Sequence, residues 1–192
     1  MRETINQLDT DLFLWLNGLY APWLDGFMVV ITGRDVWIPF YALLIGWLAF
    51  RYRKQAIGMV LTLAVAVALS DQTASALLKP LTHRLRPCHT PGLQTLIHPV
   101  MECGGFYGFA SSHAANTFAL ATGLWLLLGR QYPAVRWVFL WAAFVSYSRI
   151  YVGAHYPLDI LAGAGIGVLA AWLCVAAYEK LTRRSQYPNP NY

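Results

Sequence analysis

Residues 156–178 form a run of 23 residues in which Asp159 is the single charged side chain. A helix of about 20 apolar residues spans the roughly 30 Å hydrocarbon core of a bilayer. Five more apolar runs precede this one, at about 22–33, 36–52, 55–79, 112–129 and 134–150. Of the 192 residues, 57% are hydrophobic and 12% are charged, whereas a soluble domain averages about 25% charged. The sequence therefore predicts an all-α polytopic membrane protein, a six-transmembrane-helix bundle built as one domain over residues 1–192.

Ahead of the first run, Ile5, Leu8, Leu12, Trp15, Leu16 and Leu19 recur at helical spacing. This pattern predicts an N-terminal amphipathic helix lying at the interface. The alternative is the first half of a span kinked at Pro22. No basic leader with a small-residue cleavage site is seen, so no cleavable signal is expected. The polar ending SQYPNPNY, residues 185–192, reads as a disordered tail.

The net charge of +5 does not point to nucleic acid, because the basic residues sit in short loops between apolar runs. Arg51, Arg53, Lys54, Arg130, Arg136, Lys180, Arg183 and Arg184 fall on one side, which the positive-inside rule makes cytoplasmic. Arg34, Lys79, Arg84, Arg86 and Arg149 fall on the other. That side is normally depleted of cations, so these five require a separate explanation.

Three clusters supply one. In KPLTHRLRP, Lys79 ends the third run and Arg86 follows it, fixed by Pro87; a snorkelling helix end with a basic loop is the plainer reading. In FASSHAANTF, Ser111 and Ser112 stand where the fourth helix should begin, with His113 in its first turn. The free N–H groups of such a turn bind anions, although a serine cap beside an incidental histidine has the same sequence. In SRIYVGAHYPLD, Arg149 ends the fifth run, Gly153 permits a turn, and His155 and Asp159 share a helix face. A carboxylate so placed fixes the imidazole tautomer and frees the other nitrogen for attack; a structural histidine–aspartate pair is the alternative. All three clusters lie on the same outer face. Lys79, Arg86 and Arg149 can there surround one oxyanion, and two histidines beside them fit phosphoryl transfer through a covalent histidine intermediate.

The joint pattern resembles the type 2 phosphatidic acid phosphatase superfamily, which includes bacterial lipid phosphatases, glucose-6-phosphatase and vanadium haloperoxidases. The first motif runs from Lys79 to Pro87, the second from Ala110 to His113 and the third from Ser148 to Asp159. The resemblance implies that His155 is the nucleophile, Asp159 its orienting acid and His113 the general acid. It further implies that Lys79, Arg86, Ser111, Ser112, Ser148 and Arg149 bind phosphate, with no metal and no other cofactor. One departure stands out: the second motif reads ASSH where the family usually has Pro-Ser-Gly-His, so Ser112 adds a side chain at a position of close backbone approach.

By family analogy the expected activity is a metal-independent lipid phosphatase acting on undecaprenyl pyrophosphate. The alternatives are lipid A, phosphatidylglycerol phosphate or phosphatidic acid as substrate, or a lipid phosphotransferase using the same site. A transporter would place ionisable groups near the midplane and show repeated halves; here they cluster at one membrane face and no halves repeat. A soluble haloperoxidase conflicts with the hydrophobicity. The expected partners are the lipid substrate and membrane lipids, not nucleic acid. The expected location is a bacterial inner membrane, with the site facing the periplasm or cell exterior. His83, His89 and His98 match no compact zinc spacing and read as loop residues. Cys88 and Cys103 flank the loop on the oxidising side, either as a disulfide or as two free thiols. Asp71, mid-run, reads as a brace between helices or as a catalytic acid.

Overall fold

The computed structural model describes residues 2–98 and 100–186. Its helices are α1 (Arg2–Asn17), α2 (Pro22–Thr32), α3 (Ile38–Tyr52), α4 (Lys54–Gln72), α5 (Lys79–Thr82), α6 (Ser112–Leu128), α7 (Trp137–Tyr151) and α8 (Pro157–Gln186). A π-helical turn at Thr73–Leu78 joins α4 to α5, giving one rod over Lys54–Thr82. Each of the six predicted runs is helical. Spanning length is a stricter property. Among the described residues, Lys54–Thr82 and Pro157–Thr182 are long and apolar enough to cross a bilayer, with mean hydropathy 1.6 and 2.2. The helices α1 and α2 reach that measure only as a pair, bent by 116°. α8 continues through Gln186, past the start of the tail expected from residue 185; residues 187–192 lie outside the described residues.

Small residues set the centre of the bundle. A Cβ on Gly163 would lie 2.4 Å from the Ser111 carbonyl oxygen, and one on Gly167 would lie 2.2 Å from that of Ala115. The backbones of α6 and α8 therefore touch, the arrangement that small-xxx-small spacing permits between membrane helices. α4 packs against both, with Leu63 seated where Gly123 leaves room. At one end of the bundle, Leu48, Met59, Leu120, Leu124 and Leu128 close the core. At that same end, Arg51 bonds the Tyr132 hydroxyl and Tyr52 bonds Gln131, tying the α3–α4 and α6–α7 connections together. Large apolar side chains face outward, Trp23 at 82% and Phe50 at 85% exposure; a surface of that kind suits lipid.

At the other end, α1 folds across the bundle. Asp9, Phe13 and Asn17, spaced four apart, are its buried stripe, while Leu8, Leu12, Trp15 and Leu19 are exposed. Asn17 donates to the carbonyls of Ile150 and Tyr151, fastening α1 to the end of α7. The segment between α5 and α6 folds over the same end. Arg86 N–H donates to the Phe106 carbonyl and Gly108 N–H to that of Arg84. Cys88 and Cys103 are joined as a disulfide, their Cα atoms 6.2 Å apart.

Candidate active site

His155 occupies the short turn between α7 and α8. Gly153, at φ +72°, makes that turn with a backbone conformation glycine adopts freely. Arg149 holds the turn closed, its carbonyl accepting from the N–H groups of Ala154 and His155. Proline at the first position of α8 suits a helix start. Asp159, one turn on, accepts the Tyr156 N–H at 3.0 Å through Oδ2. The same Oδ2 lies 3.4 Å from His155 Nδ1, which makes no formed hydrogen bond among the described residues. Such contacts in unliganded sites are often long and tighten when substrate binds.

The opposite ring nitrogen of His155, Nε2, faces Arg86 Nη1 at 3.3 Å. Arg86 also donates to the Ala154 carbonyl, and its Nε has no partner among the described residues. Arg149 donates through Nη1 to Thr32 Oγ1 at 2.7 Å, and its buried Nε is likewise unpartnered. Lys79 and Arg149 both lie close enough to His155 for their charges to act on it. Burial, then the positive charges of Arg86, Arg149 and Lys79, push the His155 imidazole well below its ordinary value. The ring is therefore neutral near pH 7, the form in which Nε2 carries a lone pair. Burial also lowers Arg86, an effect the Asp159 carboxylate opposes.

The second motif forms the N-terminus of α6. Ser111 caps it, its Oγ accepting the Ala114 N–H, and its own N–H donates to the Asp159 carbonyl at 3.0 Å. Ser112 Oγ accepts from Lys79 Nζ at 2.7 Å and lies 2.7 Å from Ser75 Oγ. His113 lies near Arg149 and His155. Ser112 and His113 form the head of a cavity of about 540 Å³ that descends between α3, α4 and α6 past Tyr41, Leu44, Leu63, Val67 and Leu120. Its walls are mostly apolar.

Of the residues singled out by sequence, the fold thus gathers Lys79, Arg86, His113, Arg149, His155 and Asp159 at one end of the bundle. Ser148 stands apart: its hydroxyl donates to the Val145 carbonyl of its own helix and is fully buried. Asp71 accepts from Asn116 at 2.9 Å, and Asn116 accepts from Ser70, a brace between α4 and α6. His83 caps α5 at φ +49°, His89 meets the Gly104 carbonyl, and His98 pairs with Asp25. Cys88, His89 and Cys103 place three ligand-type atoms within 4.8 Å, but the two sulfurs are bonded to each other.

Two residues that the sequence reading leaves out of the site connect to Asp159 in the fold. Arg84 donates to Asp159 Oδ1 at 2.7 Å and meets Asp9 Oδ2 at 2.5 Å. Asp9, from α1, also accepts the Leu158 N–H. The signal for Asp9 was an acid in register with Phe13 and Asn17, on the helix side opposite Leu8 and Leu12. The signal for Arg84 was weaker, a second arginine two residues before Arg86.

A family model described as "PAP2 superfamily" matches residues 55–183, which include all three motifs. The lipid A 4′-phosphatase of Bacteroides thetaiotaomicron is 38% identical over 193 residues, covering 99% of this chain and 85% of that one. The undecaprenyl-diphosphatase of Sulfolobus acidocaldarius is 33% identical, covering 87% and 77%. Among solved structures, Aquifex aeolicus LpxE superposes with a TM-score of 0.70 at 27% identity, over 88% of this chain and 95% of that one.

Proposed function

The chain belongs to the PAP2 superfamily, and from that membership we propose that it is a lipid phosphatase that removes a phosphate from lipid A. Most of the similar proteins are named as lipid phosphatases or diphosphatases. The observation that carries the choice of lipid A is the likeness to the B. thetaiotaomicron enzyme. It extends over 99% of the chain and so takes in the 80–111 segment and the cavity walls as well as the motifs. This reading replaces undecaprenyl pyrophosphate, an expectation from family analogy; relatives named for that substrate are less similar over smaller shares of the chain.

In the proposed reaction His155 Nε2 attacks phosphorus as the bond to the lipid oxygen breaks, and His113 protonates that oxygen. Water then attacks the phosphohistidine, His113 takes its proton, and inorganic phosphate leaves with Nε2 restored. Lys79, Arg86, Arg149 and the N–H groups at the start of α6 hold the phosphoryl oxygens and stabilise the charge that spreads over them in transit. Asp159 orients the ring and stabilises its positive charge in the intermediate. The apolar cavity below His113 supports a lipid substrate, since an acyl chain there would be shielded from water at about 0.8 kcal/mol per CH₂.

The six helices α2, α3, α4–α5, α6, α7 and α8 cross the membrane together, the shorter ones completing their spans with flanking residues. The basic α3–α4 and α6–α7 ends face the cytoplasm and the site faces outward. The helix α1 rests in the outer interface on Leu8, Leu12 and Trp15.

The test is phosphate release from bisphosphorylated lipid A, undecaprenyl pyrophosphate and phosphatidylglycerol phosphate, by wild type and His155→Ala in detergent with EDTA. Fastest release from lipid A, abolished in the variant, is expected. Faster release from either other lipid would replace the substrate; equal release by the variant would overturn the mechanism.

A further inference from the structure

Although α1 lies outside all three motifs, its buried stripe reaches the turn that carries His155. We propose that Asp9 and Arg84 are positioning residues for the His155–Asp159 pair, so that α1 is a working part of the phosphatase site. The proposal rests on His155 acting as the nucleophile.

The contacts leave the Asp159 carboxylate one orientation. Oδ1 is held by Arg84 Nη1 at 2.7 Å, and Oδ2 accepts the Tyr156 N–H and faces His155 Nδ1. Arg84 is itself fixed from three sides. Its Nη2 meets Asp9 Oδ2 at 2.5 Å, its guanidinium lies 4.3 Å from the Tyr156 ring centre, and its carbonyl accepts from Gly108 N–H. The other Asp9 oxygen accepts the Leu158 N–H at 2.9 Å. The segment from Tyr156 to Asp159 is therefore gripped by one arginine from the first motif and one aspartate from α1.

Charge makes the arrangement interdependent. The side chains of Asp9 and Asp159 are 2% and 0% exposed, and they share a single guanidinium. Without the Asp9 charge, Arg84 would lose one of its two ion-pair partners and be free to turn away from Asp159 Oδ1. A rotated Asp159 would no longer present Oδ2 to Nδ1, and Nε2 would lose its aim at phosphorus. Neither Asp9 nor Arg84 needs to touch the substrate.

The experiment is a double-mutant cycle on phosphate release from whichever of bisphosphorylated lipid A, undecaprenyl pyrophosphate and phosphatidylglycerol phosphate the wild type turns over fastest. Asp9→Asn keeps the shape of the side chain and removes its charge. It is expected to lower kcat about tenfold while KM stays within about twofold. In an Asp159→Asn background the same change should cost less than about twofold, because the group through which it acts is already altered. Equal fractional losses in both backgrounds, a rise in KM with kcat kept, or an unchanged kcat would each overturn the proposal. If Asp9→Asn does not yield folded protein, the same cycle with Arg84→Lys decides by the same outcomes. A wild type inactive on all three lipids would overturn the phosphatase reading, and this proposal with it.

Discussion

Lys79 Nζ donates to Ser112 Oγ at 2.7 Å, across the gap between the end of the α4–α5 rod and the start of α6. The serine that replaces the family's usual glycine thus holds the ammonium group of the first motif at the head of the cavity. Ser112→Ala removes that partner. It is expected to lower kcat/KM by up to about tenfold, the worth of one hydrogen bond to a charged group, as read from initial rates of phosphate release. An unchanged kcat/KM would mean that Lys79 finds its place without Ser112.

The cations around His155 are expected to set the acid side of activity in the proposed mechanism. Attack by Nε2 needs the neutral ring, and a depressed value keeps the ring neutral as pH falls, so the acid limb of kcat/KM is expected below the usual imidazole range. Arg86→Gln removes one of the charges responsible. The variant should lose activity at a higher pH than wild type, in addition to its overall drop. The ionisation of the substrate phosphate, near pH 6, is common to both enzymes, so the displacement between their profiles is the quantity to measure.

Gly165 and Gly167 stand two residues apart on α8 and should respond oppositely to alanine. A Cβ on Gly165 meets nothing within 4 Å, so the change should raise stability by about 0.5–1 kcal/mol through helix propensity. A Cβ on Gly167 meets the Ala115 carbonyl oxygen at 2.2 Å and should cost about 3 kcal/mol by forcing α6 and α8 apart. Thermal unfolding in one detergent compares the two. Equal stabilities would contradict the packing.

Reduction of the Cys88–Cys103 bond opens a loop of 15 residues in sequence separation. The expected loss is about 3 kcal/mol, seen as a lower Tm with reductant and not in Cys88→Ser/Cys103→Ser. Without reductant, alkylation of the denatured protein should find one thiol, Cys174.

Asp71→Asn should leave kcat/KM within about twofold, since its partner Asn116 can turn to face an amide as well as a carboxylate. A loss beyond tenfold at equal expression would give the charge a role in turnover.

The sequence was most legible where physics acts locally. Apolar runs gave the places of six helices because burial in lipid demands length and polarity that can be counted. Lys79, Arg86, Arg149, His113 and His155 were legible as a group because crossing parity brings helix ends together, whatever their packing. Spanning length was less legible. Apolar runs such as 36–52 and 134–150 predict full spans, yet α3 and α7 hold 15 residues each, about 22 Å of rise. Ser148 had the right motif position, but its rotamer, turned onto Val145, is decided by packing. Asp9 was hidden for a different reason. Its partner lies 75 positions away, at Arg84, and a long-range ion pair leaves no periodic trace in the chain.

The backbone contact between α6 and α8 has a consequence for how such an enzyme can change. His113 rides on the first turn of one helix and Asp159 on the first turn of the other, and the two helices meet without intervening side chains to yield. Their relative height and angle are fixed like those of two parts of one casting. The cavity, by contrast, is walled largely by side chains of α3 and α4. In the proposed mechanism those walls can be rewritten for a new lipid while His113 and Asp159 keep their spacing, so chemistry and choice of substrate can diverge independently.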